Sequence, residues 1–122
     1  MKIAHVVIAE DDPDTRELLD LVLRRAGFRV SVTDDAFQLL SVLAADQVDV
    51  LLLDYQMPNM SGIELCGVIR SFNREIPIVF CSGAVTESDK KAAFAAGAQG
   101  YITKPFDADV LSATLKAALK VV

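Results

Sequence analysis

The chain has 122 residues, 52% hydrophobic and 24% charged, which suits one compact domain with a real core, excludes disorder, and leaves no stretch long enough for a second domain. The formal net charge is −5 and the basic residues are dispersed (Arg24 and Arg25, Lys90 and Lys91, Lys116 and Lys120), which argues against a nucleic-acid surface. His5 is the only histidine, so histidine-pair metal sites and serine–histidine–aspartate triads have almost no material to work with.

In chain order, an apolar, β-branched run at Ile3–Ala9 reads as a strand, with His5 a strand residue more readily than a phosphodonor. Glu10-Asp11-Asp12 follows, and Asp12 is placed to cap a helix whose first position is Pro13 and which extends to Ala26. Gly27 then stands where a left-handed stop is wanted. A second strand at Phe28–Thr33 leads to a helix at Asp35–Ala45, and a third strand at Val48–Leu53 runs directly into Asp54. A helix at Gly62–Phe72, a strand at Ile76–Cys81 and a helix at Glu87–Ala96 closed by Gly97 come next. The last pair is a short strand at Tyr101–Thr103 and a helix at Ala108–Val121.

Strand and helix alternate without a repeat or linker, and the first, third and fourth strands are apolar throughout their middles, as parallel strands covered on both faces are. The reading is a single α/β domain over residues 1–122, a doubly wound (βα)5 unit with a five-stranded parallel sheet in the order 2-1-3-4-5. The apolar runs are far too short to span a bilayer, which needs about 20 residues. Cys66 and Cys81 show no metal-ligand spacing, and no secretory leader is present, so the expectation is a cytoplasmic protein with free thiols and no membrane anchor.

In such a sheet the ligand site lies beyond the carboxyl ends of the strands. If the first and third strands are neighbours, Glu10, Asp11, Asp12 and Asp54 converge there, and carboxylates so packed need partial protonation or a cation among them. Mg²⁺ suits the site through its preference for oxygen ligands shared with phosphate. The acidic triplet alone reads equally well as a helix cap and a solvated loop. Asp54 shifts the balance, since a charge ending an apolar, central strand has little structural reason to be there. A carboxylate can accept a phosphoryl group. Ser82 after the fourth strand offers a hydroxyl and Lys104 after the fifth an ammonium, though by default these are a turn serine and a surface lysine.

Glu10-Asp11-Asp12, Asp54 in DYQMPNMSG, Ser82 in FCSGA and Lys104 in GYITKPF together resemble the motifs of response-regulator receiver domains, the CheY-like family of two-component signal transduction, over about Lys2 to Val121. The resemblance implies a CheY-like, flavodoxin-like fold and a phosphoprotein whose 4-aspartylphosphate forms on Asp54. It implies that Asp11 and Asp54 ligate Mg²⁺, that the backbone carbonyl of Gln56 completes the protein ligands, and that Glu10 acts mostly through water. It further implies that Lys104 pairs with the phosphoryl group or with Asp54, that Ser82 is the switch hydroxyl, and that Tyr101 is the aromatic residue that follows it. From the residues themselves, Pro58 fixes φ in the loop after Asp54 and Gly62 supplies a conformation closed to most residues before the third helix. Pro105 is read as shaping the loop after Lys104, and the resemblance implies that its peptide bond is cis.

The first helix offers Leu18, Leu19, Val22 and Leu23 as a mixed core and docking surface, and by the same resemblance it is where the phosphoryl donor, a sensor histidine kinase or a histidine phosphotransfer protein, binds. The signal leaves through the fourth helix, fifth strand and fifth helix toward an output protein or domain, or through a homodimer formed on that face. In the last helix, most of the stripe Val110, Leu111, Leu115, Ala118 and Leu119 is expected in the core. Serine at Ser82 and glycine at Gly83 depart mildly from the commonest family pattern, and Gln56 and Ala84 occupy positions that set phosphoryl lifetime in the family. The chain is not expected to be an enzyme beyond catalysing its own phosphorylation and dephosphorylation, and no output domain is expected within it. Two other classes fit less well. A haloacid-dehalogenase-like hydrolase would want an aspartate where Gln56 stands and a cap domain, and a flavodoxin-type binder would want a phosphate-cradling loop where the acidic triplet stands. A receiver-like binding module working without phosphorylation is the alternative within the same fold.

Overall fold

The computed structural model describes residues 3–83 and 86–120. Strands β1 (His5–Ala9), β2 (Arg29–Thr33), β3 (Val50–Asp54), β4 (Ile78–Ser82) and β5 (Gly100–Thr103) alternate with helices α1 (Pro13–Arg25), α2 (Ala36–Ala45), α3 (Gly62–Phe72), α4 (Glu87–Ala95) and α5 (Ala108–Leu119). Every strand pairing is parallel and the order is β2-β1-β3-β4-β5, the doubly wound arrangement expected from the alternation.

Period-two alternation along the strands divides the core into two layers. Val6, Ile8, Leu52 and Val79 face Leu19 and Leu23 of α1 and Leu111 and Leu115 of α5. Val7, Leu51, Leu53 and Phe80 face Leu39 of α2, Leu65 and Ile69 of α3, and Ala93 of α4. Each fully buried leucine contributes roughly 1.5–3 kcal/mol, and truncating one such as Leu52 to alanine costs about 2–5 kcal/mol. Leu18 of α1 and Val110 of α5, by contrast, remain exposed. No helix of the described residues is long and apolar enough to cross a membrane.

Several boundaries move, each for a local reason. The apolar runs Ile3–Ala9, Val48–Leu53 and Ile76–Cys81 begin before the sheet register does, where His5 meets Arg29, Val50 meets Val6 and Ile78 meets Leu51. At the other end the pairing lasts longer than the apolar runs, because Asp54 lies opposite Cys81 and Ser82 opposite Thr103. Both residues are therefore the last rungs of strands and not the start of loops. Asp35 stands outside α2 as its cap, accepting from the Gln38 N–H at 2.8 Å. Ala26 and Ala96 cap α1 and α4, followed by left-handed Gly27 (φ 98°) and Gly97 (φ 113°). The expected last residue of α5, Val121, lies outside the described residues.

Candidate functional site

At the end of β1 the three acidic residues separate into three environments. Asp12 caps α1: its Oδ2 accepts from the Thr15 N–H at 2.9 Å and the Thr15 hydroxyl at 2.6 Å, and these bonds, the hydroxyl first, hold its carboxyl below the usual range. Asp11 is exposed, while Glu10 is only 1% exposed. Arg16, one turn into α1, donates from Nη1 to the Glu10 carbonyl at 2.9 Å and to the Asp11 carbonyl at 3.5 Å, which fixes the backbone that carries both carboxylates.

Because β3 lies beside β1, Asp54 arrives next to this turn, 9% exposed. Carboxylate oxygens of Glu10, Asp11 and Asp54 all lie within 4.8 Å of one another. Burial raises the Asp54 carboxyl first, and the hydrogen bond and charge of Glu10 raise it further. Lys104 and the Gln56 N–H, at 3.5 Å from Oδ1, only partly oppose this, and the result is about 7. The acid is thus held back from ionising by its own surroundings. Three carboxylates with no nitrogen or sulfur donor among them form a set able to hold a hard, oxygen-seeking cation.

Lys104, just beyond β5, reaches back over the sheet edge. Its Nζ donates to Glu10 Oε1 at 2.5 Å and stands 3.6 Å from Asp54 Oδ1. Burial alone would lower its pKa, but the Glu10 hydrogen bond and the charges of Asp54 and Glu10 outweigh that and leave it raised. The lysine expected beside Asp54 therefore has Glu10 as its nearer partner. Glu10 makes this ion pair with its side chain almost fully buried. Asp11, Asp54, Gln56, Met57, Ser82 and Lys104 line a depression of about 510 Å³. Another, of about 420 Å³ near Val48, Asn73 and Pro77, brings together no comparable set of opposed charges.

Ser82 is buried at the end of β4, and its carbonyl accepts from the Lys104 N–H at 2.9 Å. Tyr101 is a half-buried residue whose phenol is raised by burial, an effect that Ser82 partly opposes. The Tyr101 ring stacks on Phe80 with centroids 6.3 Å apart. Cys66 and Cys81 are buried thiols, the latter pushed up by burial to about 12, which leaves it inert.

The loop after Asp54 corrects one expectation. Gly62 is not the residue with the unusual backbone angle; Asn59, just after Pro58, is, at φ 72°. Asparagine tolerates that region better than most residues. Gly62 is needed for space, since a Cβ there would stand 2.3 Å from the Asp54 carbonyl oxygen and 2.7 Å from Phe80 Cε1. Its N–H donates to the Tyr55 carbonyl at 2.9 Å, and the Pro58 carbonyl accepts from Met60 at 2.8 Å. The Lys104–Pro105 peptide is cis, as the resemblance implied. Ala84 lies outside the described residues. Arg16 was missed in the sequence, where the available signal was a cation one turn beyond the acidic triplet.

The model of the response regulator receiver domain matches residues 6–116. The transcriptional regulatory protein CseB of Streptomyces coelicolor is 38% identical over 116 residues, covering 95% of this chain and 49% of CseB. The transcriptional regulatory protein YvrH of Bacillus subtilis is 36% identical, covering 98% of this chain and 51% of YvrH. The chain thus spans about half the length of the curated relatives it matches. The chemotaxis protein CheY4 of Vibrio cholerae superposes with a TM-score of 0.90 at 28% identity, covering 96% of this chain and 99% of that one. By fold, by motif and by sequence, this chain belongs to the response regulator receiver family of two-component systems.

Proposed function

We propose that the chain is a phospho-accepting receiver whose phosphoacceptor is Asp54. The observation that carries the reading is the meeting, at one sheet edge, of three carboxylates within 4.8 Å of one another and an ammonium 3.6 Å from Asp54. In the transfer, an Asp54 oxygen bonds to phosphorus as the P–N bond of a donor phosphohistidine breaks, and the electron pair stays on the imidazole nitrogen. The donor is a sensor histidine kinase or histidine phosphotransfer protein, with Leu18 and Leu21 giving α1 exposed apolar area to receive it. Asp11, Asp54 and the Gln56 backbone carbonyl would hold Mg²⁺, with Glu10 acting through water. The ion supplies charge neutralisation at the phosphoryl oxygens. Lys104 pairs with the anion from the other side and Ser82 donates its hydroxyl. The chain then acts only on itself, gaining and losing this group, without turning over an outside substrate.

The added group carries about −1.5 to −2 charges. Drawing the Ser82 hydroxyl toward it vacates space into which the Tyr101 ring turns, which alters the α4–β5–α5 face. Phe94 and Val110, 49% and 55% exposed, give that face apolar area for an output protein, an output domain or a second copy. CseB and YvrH, both transcriptional regulatory proteins, support an output in transcriptional control and a cytoplasmic setting.

The test is the intact mass after incubation with acetyl phosphate and Mg²⁺, beside Asp54→Asn and a metal-free control. A gain of one phosphoryl group that requires both Asp54 and Mg²⁺ is expected. No gain under any condition would instead favour a binding module that works without phosphorylation.

A further inference from the structure

Strand β5 is the shortest of the five, with four residues at an edge of the sheet, paired with β4 alone from Val79 opposite Gly100 to Ser82 opposite Thr103. Ile102 is its one large buried side chain. Yet this strand carries Lys104 just past its carboxyl end, where Nζ stands 3.6 Å from Asp54 Oδ1. Strands advance about 3.3 Å per residue and turn successive side chains to opposite faces, so a slip of one residue would take the ammonium off the site. Whatever fixes the register of β5 therefore fixes the lysine.

At the amino edge of the sheet, one side chain from the last turn of α3 bonds to the segments that lead into β4 and β5. The Arg70 guanidinium donates to the Gly97 carbonyl from Nε at 3.1 Å and Nη2 at 2.7 Å, and to the Asn73 carbonyl from Nη1 at 3.0 Å. Nη2 also meets Gln99 Oε1 at 3.1 Å. That oxygen accepts in addition from the N–H of Ile78, the first residue of β4, at 2.7 Å, while the Gln99 N–H donates to the Ile78 carbonyl at 2.8 Å. One planar fork thus ties the turn before β4, through Asn73, to the turn before β5, through Gly97 and Gln99. The fit is close, since a Cβ at Gly97 would stand 2.7 Å from Arg70 Nε.

We propose that Arg70 is a positioning residue for Lys104: with Gln99 it sets where β5 begins against β4, and thereby where the ammonium ends against Asp54. The proposal rests on the phospho-accepting reading, in which Lys104 pairs with the phosphoryl anion. It adds to that reading a residue at the opposite edge of the sheet, acting on the reaction only through the lysine. A lysine in place of Arg70 would keep the charge and lose the fork that joins the two turns.

The rate of phosphoryl uptake from acetyl phosphate and Mg²⁺ is read by intact mass in wild type, Arg70→Met, Arg70→Lys, Gln99→Leu and Lys104→Met, and in Lys104→Met combined with Arg70→Met or Gln99→Leu. Mg²⁺ affinity is measured in each by calorimetry. Arg70→Met is expected to slow uptake roughly tenfold, as small displacements of an aligned group do. Arg70→Lys should stay slow, Gln99→Leu should slow uptake by less, and Mg²⁺ affinity should hold in all three. Once Lys104 is methionine, the added change at Arg70 or Gln99 should alter the rate by less than about twofold, because the group they position is gone. Losses that multiply instead would overturn the proposal and leave Arg70 a general support of the fold. A normal rate in Arg70→Met, or in the exposed-site variant Gln99→Leu where Arg70→Met does not fold, would overturn it as well. Lys104→Met as fast as wild type would sink the proposal and leave Asp54 the phosphoacceptor, whereas no mass gain in any sample, wild type included, would overturn both readings.

Discussion

At the amino edge of the sheet, His5 is 2% exposed, and each of its polar groups has a partner suited to it. Nδ1 lies 2.8 Å from the Gln47 carbonyl, which can only accept, so Nδ1 carries the proton; Nε2 meets the Ser31 hydroxyl at 2.7 Å. The backbone N–H of His5 donates to Asp49 Oδ2 at 2.7 Å. At the carboxyl edge Glu10 and Asp54 are buried to a similar degree, but as two acceptors crowded together with one ammonium between them. The first arrangement joins β1, β2 and the turn before β3 with nothing left over. The second leaves Asp54 holding its proton up to about pH 7, an internal cost kept at the one place where phosphate chemistry is proposed.

Removing the crowded charge is the strongest test of that contrast. Asp54→Asn should abolish phosphoryl uptake by intact mass and, in the metal-free protein, raise stability at pH 8 by on the order of 1–3 kcal/mol in urea unfolding. The sign follows from proton binding. The folded carboxyl keeps its proton to about 7 while the unfolded one releases it near 3.8, so wild-type stability falls as pH rises between those values and stays low above them. Asp54→Asn should remove that part of the pH slope. Equal slopes in the two proteins would mean that Asp54 is not the crowded group.

The next largest effect is steric. Gly62→Ala drives a Cβ into the Asp54 carbonyl and Phe80, both fixed in the sheet, and should cost about 3 kcal/mol with a matching loss of phosphoryl uptake. Gly67→Ala, in the same helix with open space around it, should be neutral or stabilising by up to about 1 kcal/mol. If the two alanines behave alike, the close approach at Gly62 is not what selects glycine there.

At the amino edge, His5→Ala should cost about 1–3 kcal/mol through the partners left at Gln47 and Ser31, with phosphoryl uptake unchanged per folded molecule. That separates an edge that only stabilises from one that reacts. A parallel loss of uptake would show that the two edges are coupled through β1.

How far each edge could be read in the sequence follows the same division. Local signals were sufficient for the alternation of elements, for Asp12 and Pro13 at the start of α1, and for Gly27 and Gly97 at helix ends, since caps and periodicity depend on near neighbours. Asp54 was legible because a charge contrasts with the apolar strand it ends. What stayed hidden depends on residues far apart in the chain. The need for Gly62 is set by Phe80 and the nearer partner of Lys104 is Glu10, neither of which leaves a pattern within a window of one helix or strand.

Arg16 gives the smallest expected effect and the sharpest question about the carboxyl edge, because it is a cation beside a site proposed to take up another cation. Its charge acts on Asp12, while the Asp54 shift comes from burial, Glu10, Lys104 and Gln56. The electrostatic gain at the site from removing Arg16 is therefore small. Its bonds to the Glu10 and Asp11 carbonyls, at 2.9 and 3.5 Å, orient the backbone of two proposed metal partners, and losing such support commonly weakens metal binding by tenfold or more. Arg16→Ala should then weaken Mg²⁺ binding by about tenfold in a titration followed by tyrosine emission, with less than about 1 kcal/mol lost in overall stability. Tighter Mg²⁺ binding in that variant would mean that repulsion outweighs positioning, and that the acidic turn is held in place without the help of α1.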